Sequence, residues 1–350
     1  MPGNNALKLT DLDRRILFEL DKDGRASFSK IAKAAGTSPQ VVKYRFARLQ
    51  EYDAIKHFWA FIDYDRAGYS FFWGYWLKFS GLTKDQEEEM HAKFRANKYI
   101  PIVMRSDGYA DCMIAIIAKD VFHHNQILQE ILNDYGQYIV MSDIVVGLGF
   151  IKFLRSYLIG EENKENIFSL SGGSTETAKL TEIERKMLSL LQIDGRMEFT
   201  KIAKIIGVTP ALIHRYYTRL VKSGVITRIT YTLNYDVVDL KLFRVLFKIK
   251  QFNKVRIEVL YQFCLTNPNI INYVKVMGNW QLMLDIETTG LDELRNLLRK
   301  MKHDFNEIIF EVEINEIYKI DKFTQMAIEY PELTQKKSER LSLGQQTAED

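Results

Sequence analysis

Residues 24–49 read GRASFSKIAKAAGTSPQVVKYRFARL, and this stretch decides how the rest of the chain is understood. Ser27 to Ala35 carries a short helical pattern, Gly36-Thr37 turns the chain, and Ser38-Pro39 opens a second helix. Ser38 is an N-cap type of residue, and Pro39 stands where a missing N–H and a fixed φ cost nothing. Val42, Phe46 and Leu49 recur at helical spacing and make one apolar stripe, which Ile31 and Ala32 of the preceding helix can face. The opposite face carries Gln40, Lys43, Tyr44 and Ala47, flanked by Arg45 and Arg48. A helix-turn-helix lays its second helix in the major groove, where amide, amine and phenol groups meet base edges and arginines hold phosphate. An ordinary helix pair with a solvated polar face fits these residues equally well.

The tie is broken by repetition. Residues 9–55 superimpose without a gap on residues 180–226, with 18 identities over 47 positions. Asp23-Gly24-Arg25 recurs as Asp194-Gly195-Arg196, Lys30 to Lys33 as Lys201 to Lys204, Gly36 as Gly207 and Pro39 as Pro210. These are mainly turn, cap and core types. The outward set differs: the second copy offers Ala211, His214, Arg215 and Thr218, flanked by Tyr216 and Arg219. The scaffold repeats and the presumed reading surface does not.

At 350 residues and 47% hydrophobic content the chain has room for two to four globular domains. Cys112 and Cys264 form neither a disulfide framework nor a metal spacing, and the first residues lack a signal-peptide core, so a soluble, cytoplasmic protein with no membrane span is expected. The net charge of +3 is unevenly spread. Residues 1–60 hold 11 Lys/Arg against 7 Asp/Glu, and residues 171–230 hold 10 against 5, so basic charge concentrates on the two helix-turn-helix stretches. That is the footprint of a nucleic-acid surface, with a merely solvated face as the alternative.

Thr10 with Asp13, and more fully Thr181 with Glu184, mark a preceding capped helix in each copy. After each second helix comes a strand, 55–62 and 226–233, with Lys56 and Arg228 near its start; it reads as a wing or as a tie between domains. Strand and helix patterns then alternate as βαββαβ over 71–147 and again over 242–317, the order of a ferredoxin-like antiparallel sheet with both helices on one face. The other sheet face needs cover, and Tyr75, Leu77, Ile114, Ile116, Leu246, Phe247, Leu282 and Leu284 are assigned to the surfaces that pairing would bury. The fold class is α+β, a tandem repeat of winged helix-turn-helix plus ferredoxin-like domain. The expected divisions are 8–61 and 62–157, a linker at 158–178, then 179–232 and 233–324, and a polar tail at 325–350.

This layout resembles the Lrp/AsnC family of transcription regulators. The likeness is carried by residues 9–17 (LTDLDRRIL), Asp23-Gly24-Arg25, Ile31-Ala32, Gly36, Ser38, Val42, Arg45, Arg48-Leu49, Ile55 and Gly108-Tyr109-Ala110-Asp111, and it covers nearly the whole chain. Family members usually hold one such unit, so a fused pair is a departure. The resemblance implies double-stranded DNA as partner, with Ser38, Gln40, Lys43, Tyr44, Arg45 and Arg48 in one head and Thr209, Ala211, His214, Arg215 and Arg219 in the other. It also implies a small effector, such as an amino acid, near the loop holding Gly108, Tyr109 and Asp111, where Asp111 would take an α-amino group and backbone N–H groups around Gly108 a carboxylate. Alternatively Gly108 only makes the turn. In the second copy Gly278 is followed by Asn279-Trp280-Gln281, without the carboxylate.

Two rival readings exist. Siroheme decarboxylases resemble the same paired layout and rely on histidine and arginine around the second and third strands, where this chain has Arg105 and Lys275 but no histidine. A protein-interaction module that has lost DNA binding is the other, suggested by Ala211 and Tyr217 in the second head. Gly147-Leu148-Gly149 lacks the third glycine of a dinucleotide loop, and His123-His124 has no companion ligand set and reads as a solvated pair. The sequence therefore points to a non-enzyme with no cofactor and no metal. Pairing of the two repeats within the chain, as an intrachain pseudo-dimer, is favoured over pairing of like repeats between chains, with further homo-oligomerisation expected.

Overall fold

The structure, a computed structural model, describes residues 7–69, 71–160, 168–172, 177–250 and 253–327. The first head is α1 (Asp11–Lys22), α2 (Phe28–Ala35) and α3 (Pro39–Glu51). Thr10 caps α1, and Asp13 returns the bond by accepting from Thr10 N at 3.0 Å, so this capping box is as complete as the one at Thr181. Gly36 ends α2 in the left-handed region at φ 69°, which a side chain would resist. The chain continues through β1 (Ile55–Ile62), β2 (Phe71–Phe79), α4 (Lys84–Ala96), β3 (Ile102–Gly108), β4 (Cys112–Ala118), α5 (Val121–Tyr135), β5 (Ile139–Phe153) and β6 (Phe168–Ser171). The second unit repeats the order: α6 (Glu182–Ile193), α7 (Phe199–Ile206), α8 (Pro210–Lys222), β7 (Ile226–Leu233), β8 (Lys241–Ile249), α9 (Lys254–Thr266), β9 (Ile270–Gly278), β10 (Leu282–Thr288), α10 (Leu291–Asp304) and β11 (Ile309–Phe323).

Each βαββαβ unit forms a ferredoxin-like sheet, β5-β2-β4-β3 and β11-β8-β10-β9. Neither sheet ends at its own edge. β3 pairs antiparallel with β11 and β5 with β9, so eight strands from one chain close into a barrel. The last strand of each unit runs well past the expected end because it serves both its own sheet and its neighbour's. The seams match in register: Gly108 lies opposite Asn315, and Gly278 opposite Val145, its counterpart in the other copy. The repeats are thus related by a pseudo-two-fold axis within the chain, as an intrachain pseudo-dimer requires.

The expected cover of the sheets is present, but most of the residues assigned to it lie on the other side. Tyr75, Leu77, Ile114 and Ile116 pack under α4 and α5, and Phe247, Leu282 and Leu284 under α9 and α10; of the eight, Leu246 alone faces the barrel interior. The interior is filled by Trp76, Met104, Met113, Ala115, Val145, Trp280 and Met283. Because side chains alternate along a strand, a one-position error of face moves the whole set. The alternation was unreadable in β2 and β4, where both faces are buried and apolar, whereas Arg244 and Asp285 mark the inner face of β8 and β10.

The strands expected as wings or as ties between domains form a tie. β1 and β7 pair with each other, and Trp59 sits opposite Thr230, its own counterpart, so the pseudo-axis passes through this ribbon. Arg228 is accordingly buried rather than offered to a partner. The stretch expected as linker also contains structure: β6 extends the sheet beside β5, and Ser171 Oγ accepts from Tyr64 N at 3.1 Å. Residues 161–167 and 173–176 of that stretch and the tail beyond 327 lie outside the described residues.

A buried polar joint ties each head to the barrel. In one, Asp21 Oδ2 accepts from Arg155 N at 2.9 Å and its Oδ1 from Arg155 Nη1 at 2.9 Å, and Arg155 Nε reaches Glu287 at 2.9 Å. Tyr157 and Tyr235 donate to the same Glu287 carboxylate, each at 2.5 Å. At the equivalent joint Gln192 Oε1 accepts from Gln325 N at 2.8 Å, and Gln325 Oε1 from Ile62 N at 2.6 Å. The geometry repeats with amides in place of charges.

Two expectations follow. A Cβ added at Gly108 would lie 2.3 Å from Ile314 O with φ at +129°, whereas one at Gly149 would meet nothing within 4 Å. Gly108→Ala should therefore lower stability by more than about 2 kcal/mol, and Gly149→Ala by less than about 1 kcal/mol, in denaturant unfolding. Lys152 is fully buried beside Asp21, and burial together with the Arg155 charge pushes its ammonium down to about 7. Its folded value lies below the unfolded one, so the unfolded chain binds the extra proton between about pH 7 and pH 10, and stability rises with pH across that window. Relative to Lys152→Met, the wild type should gain up to about 1.4 kcal/mol per pH unit there.

Candidate nucleic-acid interface

The recognition helices α3 and α8 are held from behind. Val42, Phe46 and Leu49 are buried in the first, and Ile213 and Leu220 in the second. Ser38 and Thr209 are their N-caps, with hydroxyls accepting from Val41 N and Leu212 N, each at 3.3 Å. Gln40, Lys43 and Tyr44 on α3, and Ala211, His214 and Arg215 on α8, all point to solvent; Tyr44 is 66% exposed. Each expected outward set therefore shares one face of one helix.

The flanking arginines are more constrained than their spacing suggests. Arg45 lies 3.6 Å from Asp13 Oδ2, and Arg219 pairs with Glu184. Asp13 and Glu184 are equivalent carboxylates, each already completing the capping box of the first helix. One carboxylate thus caps the first helix of a head and anchors the third, and the two copies reach it from successive turns. Arg48 instead lies over the Tyr52 ring at 5.6 Å, and Arg215 over Tyr216 at 5.6 Å.

The repeated Asp-Gly-Arg stretch locks the heads together. Arg25 Nη1 donates across to Gly195 O at 2.7 Å and to Met197 O at 3.1 Å, while Arg196 donates back to Gly24 O. Each guanidinium also covers the other head's aromatic rings, Arg25 over Phe199 at 4.5 Å and Arg196 over Phe46 at 5.1 Å. Gly24 N and Gly195 N donate to Ile229 O and Phe58 O of the β1–β7 ribbon at 2.8 and 2.7 Å. A Cβ at either glycine would come within 3 Å of the ribbon. The identity of this triplet in both copies was visible in the sequence, but its partner in the other copy was not.

The expected effector residues have other tasks. Gly108 sits in the β3–β11 seam, Tyr109 OH donates to Asp143, and Asp111 Oδ2 accepts from Phe79 N at 2.8 Å. Gln281, the counterpart of Asp111, does the same with Ile249 N at 2.9 Å. Asp111 is thus a strand-end acceptor whose place an amide takes in the second copy. Asp143, missed in the sequence, also accepts from Asn279 at 2.9 Å and Trp280 at 3.1 Å. His124 is not solvated: it is buried, 2.8 Å from Tyr75 OH. Arg105 is closed off by Glu88 and by Asp321, the latter at 2.6 Å.

Two outward helices on heads fixed about a pseudo-axis make this a chain of two helix-turn-helix units. The AsnC-type helix-turn-helix domain matches residues 9–50, and a winged helix-turn-helix DNA-binding domain matches residues 180–227. The HTH-type transcriptional regulator FL11 of Pyrococcus furiosus is 28% identical over 122 residues, 34% of this chain and 78% of the relative. An uncharacterized HTH-type transcriptional regulator of the same organism, PF1231, is 39% identical over 61 residues, 17% of this chain and 41% of the relative. The crystal structure of the siroheme decarboxylase NirDL shares the fold over 96% of this chain and 100% of its own, with a TM-score of 0.58 and 14% identity. Among the described residues no helix is long and apolar enough to cross a membrane.

Replacing Arg25 or Arg196 by Met keeps the aliphatic stem over the rings and removes the charge-assisted bonds to backbone carbonyls. Each substitution should cost about 1–3 kcal/mol in denaturant unfolding. Hydrogen exchange should rise in α2 and α7 while the barrel strands keep their protection.

Proposed function

We propose that this chain is a DNA-binding transcriptional regulator of AsnC/Lrp type, and that both heads engage one duplex. The observation that carries this reading is the pair of outward faces on α3 and α8, with Lys43, Tyr44, His214 and Arg215 exposed on stretches of net positive charge. Gln40 and Arg215 address base edges, Lys43 and Arg48 hold phosphate, and Ser38 and Thr209 position the helix starts. Arg45 and Arg219 act chiefly through their carboxylate partners, as braces for the recognition helices. We place no effector at residues 108–111, because Asp111 and Tyr109 are engaged by the protein itself.

A tetrapyrrole enzyme is the competing reading, and only the whole-chain likeness of fold to NirDL favours it. Arg105 already has two carboxylate partners, and His91 and His124 are buried, with burial holding both imidazoles below their ordinary value. The proposed role is accordingly non-enzymatic.

Binding to duplex DNA should weaken with salt, log affinity falling with log salt by about 0.9 per phosphate neutralised. Alanine at Lys43 and Arg48 together should flatten that slope by roughly 2, measured by fluorescence anisotropy. An unchanged slope, or a Soret-band shift when siroheme is added, would sink the reading.

A further inference from the structure

Resting on that regulator reading, we infer that the DNA site of this chain is intrinsically asymmetric: two unlike half-sites, inverted with respect to each other, read by one polypeptide.

The inversion follows from the pseudo-axis. Trp59 pairs with its own counterpart Thr230 across the ribbon, and both barrel seams repeat in register. Heads related by a two-fold present their recognition helices in opposite senses along the duplex, so the half-sites are inverted and about one helical turn, or a multiple of it, apart.

The unlikeness follows from two observations. First, the exposed faces differ position by position: Gln40, Lys43 and Tyr44 on one helix stand where Ala211, His214 and Arg215 stand on the other. Gln suits an adenine edge, whereas Arg suits guanine and Ala a thymine methyl. Second, the barrel does not permit a like-with-like alternative in which the first repeats of two chains pair. Its interior is heterologous. Arg244 is held by Asp285 at 2.5 and 2.7 Å, and Asn272 donates to the same carboxylate at 2.7 Å. The equivalent positions in the first repeat are Gly74, Ala115 and Ile102. Arg244 Nη1 reaches Met113 Sδ at 3.7 Å, and Met113 in turn fills the space that Gly74 leaves. Two second repeats would bury this ionic set twice, and two first repeats would lack it altogether. At the joint, Arg155 would face Ile117, the counterpart of Glu287, and a buried guanidinium would keep Asp21 but lose the second of its two carboxylates. Unlike heads are therefore locked into every molecule.

The test is selection of bound sites from random duplexes with the full chain, beside a variant in which the first head copies the second: Gln40→Ala, Lys43→His and Tyr44→Arg, all exposed positions. The wild type is expected to enrich two different half-sites in inverted arrangement, and the variant a palindrome built from the second head's half-site. Arg215→Ala should relax base preference in one half-site only, by roughly ten-fold or more at the position read. A palindrome selected by the wild type, or a single half-site, overturns the inference and leaves the regulator reading standing. No enrichment by either protein overturns both.

Discussion

Backbone pairing across the two seams is the constraint on which the rest depends. A ferredoxin-like sheet standing alone presents two open edges, each a row of unpaired N–H and C=O groups, and one uncovered apolar face. Joining β3 to β11 and β5 to β9 abolishes the edges and encloses the faces in one step. Everything outside the barrel inherits its symmetry. The ribbon of β1 and β7 crosses the same pseudo-axis, and the heads hang from the ribbon.

Backbone and side chains divide the work. The backbone contacts are duplicated: glycine against the ribbon in both heads, glycine in both seams, and a main-chain N–H taken by a side-chain acceptor at both joints. The side chains that fill those frames have diverged, with Asp21 against Gln192, Arg155 against Gln325 and Gly74 against Arg244. A duplicated chain is free to do this because a substitution in one copy is not imposed on the other. A two-fold homodimer has no such freedom, since each change appears twice at its interface.

Much of the fold was legible in the sequence. Caps, the Gly36 turn, helical stripes and the offset between copies are local signals, and they fixed the helix-turn-helix units and the βαββαβ order. What escaped notice depended on neighbours distant in the chain. The inner and outer faces of β2 could not be told apart because both are apolar and buried, whereas in β10 the buried Asp285 and Glu287 mark the inner face. Arg228 looked like a wing base because nothing nearby in sequence announces a buried carboxylate at Asp21. The candidate reading faces were legible as patterns, whereas the pairing of Arg45 with Asp13 and of Arg219 with Glu184 needed the packing of one helix on another.

The seams also set the order in which the molecule can come into being. Arg105 meets its partner Asp321 at a distance of 216 positions along the chain. At ordinary translation speeds of about 5–20 residues per second, β3 waits roughly 10–40 s on the ribosome for the strand that completes it. During that interval the first unit has its helices and its own four-stranded sheet, but both edges and the inner aromatic face stand open to water. Contacts this distant also place a high loop-closure cost ahead of the final step. Fusing the copies removes the search for a second chain and replaces it with a wait for the second half of the same one.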